Sequence, residues 1–466
     1  MLFNSLTFFG FLILTFVIFW RLNNRLRIQN LFVLGASYFF YGCWDWRFLI
    51  LIVISSGVDF IIGKQLGAEE RTTQRKMLLG ISLFVNLGLL GFFKYFNFFI
   101  ESATIALRGI GFETSHSSLS IILPVGISFY TFQTLSYTID IYRGQLKPTD
   151  NWIEFFAFVS FFPQLVAGPI ERASNLLPQF GRQRAFELDT AVKGMRLILW
   201  GLFKKMVIAD RLAPIVDSIY QSPSSCDSFT ALLAGALFVY QVYCDFSGYS
   251  DIAIGTARLF GFTLMRNFIT PFHSRSMTEL WSRWHISLST WFRDYVYITL
   301  GGNRTSTFRW IISVVITFTL SGLWHGADFH FIVWGFSYTL FLIPERLLGV
   351  RKIGVIPTFL LFCIPGMFFR ASVQDVFILY QQLFSFTFNG IEAYASLLPN
   401  EFDLIYTLAL FIAFVSAEGV MGKTDFDESV SKVSIVSRWA IYYVLLAAIL
   451  LFGVTENAPQ FIYFQF

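Results

Sequence analysis

From Ile311 to Ile343 the chain runs for 33 residues without a Lys, Arg or Glu. As one straight helix rising 1.5 Å per residue it would reach about 50 Å, against about 30 Å for the hydrocarbon core of a bilayer. One straight span cannot absorb that length, so a break is expected at Ser321-Gly322-Leu323-Trp324-His325-Gly326, where two glycines flank an indole and an imidazole. Inside lipid, irregular backbone survives only where it lines a cavity, because peptide groups there have no water to bond. Polar groups at such a depth are functional by default, and His325 is followed closely by Asp328 and His330. A lone core histidine is ordinarily just packed and satisfied; the flanking glycines shift that balance toward function.

The rest of the chain has the same character. Apolar runs recur at roughly 2–20, 30–43, 47–63, 77–100, 121–139, 152–168, 191–209, 229–262, 310–343, 353–369, 376–390, 403–421 and 437–453. Only 14% of residues are charged, where a soluble protein averages about 25%. The expected fold is all-α, a polytopic transmembrane helical bundle of about 11 spans with re-entrant or interfacial helices around a central cavity. Residues 1–466 are expected to form a single integral membrane domain. The 34 Lys and Arg against 30 Asp and Glu sit in the breaks between runs, which points to membrane orientation and away from nucleic acid. Arg21, Arg25 and Arg27 follow the first apolar run instead of preceding it, the reverse of a signal peptide, and place the N-terminus outside. The basic loop 64–76 reads as cytoplasmic too, which requires a turn near Gly42 to Trp46. Cys43, Cys226, Cys244 and Cys363 are scattered with no CxxC pair, so neither a zinc site nor a disulfide framework is indicated.

The interval 266–309 is polar, yet rich in Trp and Arg. Helical spacing puts His285 and Ser289 one turn apart, and Gly301-Gly302 ends the segment. Arg283, Arg293 and Arg304 could clamp an anionic donor such as a coenzyme A phosphate, or simply pair with Asp294 and lipid headgroups. A neutral imidazole can take the proton of an alcohol attacking an activated carbonyl. That chemistry needs an oriented hydroxyl and oxyanion donors, but no metal. Asp245 and Asp251 are placed to orient a hydroxyl or an arginine, with a structural hydrogen-bond role the stronger reading. His116 and His273 read as surface histidines, and Gly168-Pro169 as a helix break.

At Gly126 to Tyr137 with Ile141 to Gly144, Phe162 to Arg172, Tyr243 to Asp251, the two histidine regions and Phe461 to Phe466, the sequence resembles the membrane-bound O-acyltransferase family. The likeness is to the bacterial branch typified by the alginate O-acetyltransferase membrane subunit, and it covers most of the chain. It implies that His325 is the intramembrane catalytic histidine and His285 the second characteristic polar position. Trp324, Arg283, Asp294, Asn303, Arg304 and Asp245 are the candidate substrate contacts. The resemblance implies an O-acyltransferase of the bacterial inner membrane that passes acetyl from cytoplasmic acetyl-CoA toward hydroxyls of an extracytoplasmic polysaccharide, with a periplasmic or surface partner and no bound cofactor or metal. Thr299 stands where the branch usually has Pro, and Phe329 where it usually has Trp; donor fit could differ at both. Rival expectations are a teichoic-acid D-alanyl transfer protein, a polymer or lipid transporter, and a scaffold without chemistry.

Overall fold

The computed structural model describes residues 1–112, 119–166, 168–389, 401–455 and 459–464. His116 lies outside these residues, as do Ala167, Gln465 and Phe466 of the motifs above. The regular elements among the described residues are all helices, with no strand, and the chain divides into two compact units: Met1–Ala191 with Thr256–Met265, and Val192–Gly255 with Arg266–Phe466.

The first unit opens with α1 (Leu6–Arg21), capped by the Ser5 side chain, which accepts from the Phe8 amide. There follow α2 (Leu26–Asp45), α3 (Leu49–Ala68), α4 (Thr72–Leu90), α5 (Phe96–Gly109), α6 (Ile127–Tyr142), α7 (Trp152–Ser160), α8 (Phe162–Leu165) and α9 (Ala173–Phe180). The turn required before the basic loop falls at Trp46–Phe48, where the Asp45 carboxylate accepts from the Arg47 amide. Polar groups between α3, α4 and α6 satisfy one another, as they must where no water reaches. Asp59 accepts from Ser82 Oγ at 2.6 Å and from Asn86 Nδ2 at 2.8 Å, and Ser55 donates to Asn86 at 2.6 Å. Gly63 admits the Tyr137 ring, which a Cβ would meet.

The chain continues through α10 (Leu188–Leu202), a π-helical turn Phe203–Ala209, α11 (Asp210–Gln221) and the long α12 (Ser228–Leu259). Within the second unit the rest are α13 (Met277–Arg283), α14 (Ile286–Phe292), α15 (Thr307–His325), α16 (Phe329–Leu347), α17 (Val355–Gly366), α18 (Val373–Leu383), α19 (Glu401–Met421), α20 (Phe426–Ser431) and α21 (Ile435–Phe452). Glycines set the closest crossings. Gly201 and Gly248 meet backbone to backbone, as do Gly255 and Gly194; a Cβ on Gly201 would lie 2.5 Å from the Gly248 carbonyl. In lipid, where apolar burial drives nothing, such small-residue contacts are the principal way helices pack.

Six helical stretches among the described residues are long and apolar enough to cross a membrane: Leu26–Ala68, Thr72–Gly109, Ser228–Leu259, Thr307–His325, Leu404–Met421 and Ile435–Phe452. The first contains both α2 and α3, each 20 residues long and so able to cross alone. Leu6–Arg21, Trp152–Leu165 and Val355–Phe369 are apolar but shorter. The chain is an all-α, multi-pass membrane protein, and several of its apolar sequence runs fold as short or interrupted helices.

Candidate active site

α15 and α16 form a tight hairpin that fixes His325. The helix runs unbroken through Ser321 to His325, and the break expected at Ser321 to Gly326 comes at its last residue, where Gly326 is extended at φ −159°. The Asp328 side chain then starts α16 by accepting from the His330 amide at 3.1 Å. Gly322 and Gly326 therefore serve contact more than flexibility. A Cβ on Gly322 would lie 2.2 Å from the Phe331 carbonyl, one on Gly335 at 2.2 Å from the Phe318 carbonyl, and one on Gly326 inside the Phe331 ring. The second ring near the break, His330, lines neither cavity of the site; its Nδ1 lies 2.6 Å from the Phe368 carbonyl oxygen.

His325 is 4% exposed. Its ring is boxed by Trp324, Trp334, Phe369 and Tyr463, with centroids 4.9, 5.0, 5.2 and 5.5 Å away. The His285 ring stands 6.3 Å from it. A chamber of about 20 Å³ lies on the open side of His325, walled also by Val242, Trp284, Tyr338 and Phe362.

His285 reaches this place because the helix expected through it is broken there. The residue sits between α13 and α14 at φ 41°, ψ 54°, a left-handed conformation that residues other than glycine adopt uncommonly. Asn267 holds the turn from both sides: its carbonyl accepts from the Ile286 amide at 2.8 Å, and its Oδ1 accepts from Ser287 Oγ at 2.6 Å. Its own Nδ2 donates to Ser250 at 3.0 Å. Glu345 caps the neighbouring α13, accepting from the Met277 and Thr278 amides at 2.7 and 3.1 Å. His285 is 1% exposed, and neither of its ring nitrogens has a hydrogen-bond partner among the described residues. Its surroundings are the Phe246 ring at 4.6 Å and those of Trp324 and Tyr463 beyond 6 Å.

A larger cavity of about 430 Å³ opens beside α13 to α16, with the hydroxyls of Ser289, Thr317 and Ser321 among its walls. Two cations line it, Arg293 and Arg346, the latter stacked 4.2 Å over the Trp310 ring. Trp281 is also part of its wall, and on its other side touches Trp334, which packs on His325.

Of the candidate substrate contacts, the structure gathers Trp324 with the two histidines. Arg283 is buried but turned to Glu279 and to the Thr270 carbonyl. Among the three arginines considered as a clamp, only Arg293 lines the large cavity, and it also pairs with Asp294 at 2.7 Å. Asn303 and Arg304 are exposed beside Gly301 and Gly302, whose φ values of 115° and 57° end the segment as expected. Thr299 and Phe329 are exposed too, and neither lines the chamber or the large cavity. His273 is half-buried, not a surface residue.

Asp245 belongs to a buried ionic cluster that sequence reasoning missed. Lys205 Nζ lies 2.6 Å from Asp245 and 2.8 Å from Asp210, while its neighbour Lys204 pairs with Asp251 at 2.7 Å. The π-helical turn Phe203–Ala209 is where both consecutive lysines find these partners, two of them on α12. Asp245 Oδ2 also accepts from the Ile462 amide at 2.8 Å. Asp210 lies only five residues beyond Lys205, but Asp245 and Asp251 lie far along the chain on α12, so no local spacing signals the whole cluster.

The sequence profile of the membrane-bound O-acyltransferase family matches residues 148–351. A probable alginate O-acetylase of Pseudomonas aeruginosa is 42% identical over 402 residues, covering 83% of this chain and 75% of the relative. A peptidoglycan O-acetyltransferase of Helicobacter pylori is 33% identical over 376 residues, covering 74% and 70%. A teichoic acid D-alanyltransferase of Streptococcus thermophilus is 30% identical over 249 residues, covering 49% and 58%.

Proposed function

Because the chain belongs to the membrane-bound O-acyltransferase family, and is thus an O-acyltransferase, we propose that it transfers acetyl from cytoplasmic acetyl-CoA toward hydroxyls of an extracytoplasmic polysaccharide, with His325 as general base. The carrying observation is that the buried His325 lines a chamber with a second buried imidazole, His285, 6.3 Å away ring to ring, while arginines edge a larger cavity. A ring nitrogen of His325 takes the acceptor hydroxyl's proton as its oxygen attacks the thioester carbon. The C–S bond then breaks, and the proton passes to the leaving thiolate. His285 donates to the oxygen on which charge develops, a role suited to a ring whose nitrogens have no protein partner. Arg293 and Arg346 offer guanidinium groups for the donor's phosphates.

The polysaccharide acceptor is favoured by the names of two relatives that match most of the chain, a probable alginate O-acetylase and a peptidoglycan O-acetyltransferase. On this reading the chain works as one acyltransferase domain in the bacterial inner membrane, its N-terminus outside, and hands acetyl to a periplasmic or surface partner. The test is a purified His325→Ala variant assayed for release of coenzyme A thiol from acetyl-CoA. A fall of about 10² or more is expected for a lost general base, and turnover at the parent rate overturns the assignment. Binding of a D-alanylated carrier protein without any binding of acetyl-CoA would replace the donor.

A further inference from the structure

The chamber beside His325 is too small for the reaction it borders. About 20 Å³ accommodates roughly one water molecule, whereas an acetyl thioester and an attacking hydroxyl must both reach the imidazole. One wall has to move. The α15–α16 wall is locked through Gly322 and Gly335, where backbone meets backbone and no displacement is possible without parting the hairpin.

The segment from Pro459 to Phe464 is built differently. It carries a single short turn, Ile462–Phe464, and it divides two spaces. Tyr463 faces the His325 chamber, while Pro459, Gln460 and Ile462 face a polar cavity of about 70 Å³ on the other side. Phe238 lines both. That second cavity is edged by Asp210, Gln241 and Arg370, groups suited to hydroxyls. The buried cluster contributes two polar bonds to the segment: Asp245 Oδ2 accepts from the Ile462 amide at 2.8 Å, and Lys205 Nζ donates to the Pro459 carbonyl at 3.2 Å. Aromatic packing adds to the seat: Phe461 stacks on Tyr249 at 4.4 Å, and Phe246 packs on Phe461 and Tyr463 at 5.9 and 4.6 Å.

We propose that the 459–464 segment is a movable partition, latched by Asp245 and Lys205, whose displacement joins the polar cavity to the His325 chamber and admits the hydroxyl-bearing acceptor. This rests on the reading of His325 as general base, but the latch itself can be tested without catalysis. Asp245 and Lys205 are then positioning residues: they hold the segment and do not touch the reacting atoms.

The test uses the purified full chain in nanodiscs, with the exposed Cys43 replaced by serine and Phe461→Cys as reporter; the three other cysteines are buried. Phe461 is fully buried, so a maleimide should label the reporter slowly. Asp245→Asn removes the charged acceptor while Asp210 still neutralises Lys205. Ile462→Pro instead removes the amide donor and leaves the ion pairs intact, at a position opening a turn where proline is tolerated. Each should raise the labelling rate about tenfold, the scale expected when a charge-assisted hydrogen bond is lost. Unchanged rates in both variants overturn the latch. Separately, Asp245→Asn should increase release of coenzyme A thiol from acetyl-CoA without any polysaccharide, as water gains the chamber, and His325→Ala should abolish that release. Faster labelling with undiminished release in His325→Ala would sink the catalytic reading and leave the latch standing.

Discussion

The histidine in the left-handed turn shows how one residue can be selected for its side chain against its backbone. His285 pays a conformational cost that glycine or asparagine would largely avoid. That the fold keeps histidine there and pins the turn with Asn267 points to the imidazole as the reason. The substitution His285→Asn, which tolerates the same φ, should therefore yield a well-folded protein whose acyl transfer falls by about 10² or more, in the range of a lost oxyanion donor. His285→Val should also reduce thermal stability, because a β-branched residue resists positive φ. If the asparagine variant transfers the acyl group at the parent rate, His285 is a structural residue. Among the residues, His325 and its tryptophan were legible from the sequence, because excess apolar length and a polar group together single out a place. Asn267 was not, since its function depends on a turn that no spacing rule anticipates.

For the helices, the sequence was informative about where a break must fall and misleading about what its glycines do. The run Ile311–Ile343 does divide, within a few residues of the place its length demands. Gly322, however, lies inside α15 and is needed because α16 presses its backbone against it. Composition cannot separate a glycine that bends from one that makes room, because the difference lies in the facing helix. Gly322→Leu should then be more damaging than any substitution at Ile312, an exposed residue of the same helix. Overpacking of a close crossing costs about 1–3 kcal/mol or more, read as a lowered melting temperature in detergent. An equal melting temperature for the two variants would mean the crossing relaxes freely. The helical spacing that put His285 and Ser289 one turn apart missed the break at Trp284 and His285 for a related reason: residues 267 to 269 bond to the turn, and this partner lies outside any local window.

Across the whole molecule, composition alone established a multi-pass helical membrane protein, and charge placement supplied an orientation that remains a proposal. A protease-sensitive tag ahead of Leu2 should be cleaved by protease added outside spheroplasts, with a tag in the loop 69–71 protected; the reverse pattern would invert the reading. The buried ionic cluster was invisible at this scale as well, for its charges fall within or beside apolar runs and are paired only where the π-helical turn sets Lys204 and Lys205 against α12. The glycine contacts carry a consequence for genetics. In a saturation scan that scores growth or polymer acetylation, Gly201, Gly248, Gly322 and Gly335 should tolerate replacement as poorly as the imidazoles, although none of them meets substrate. Intolerance would trace the seams of the bundle along with its chemistry, and only a second score for protein abundance would tell the two apart.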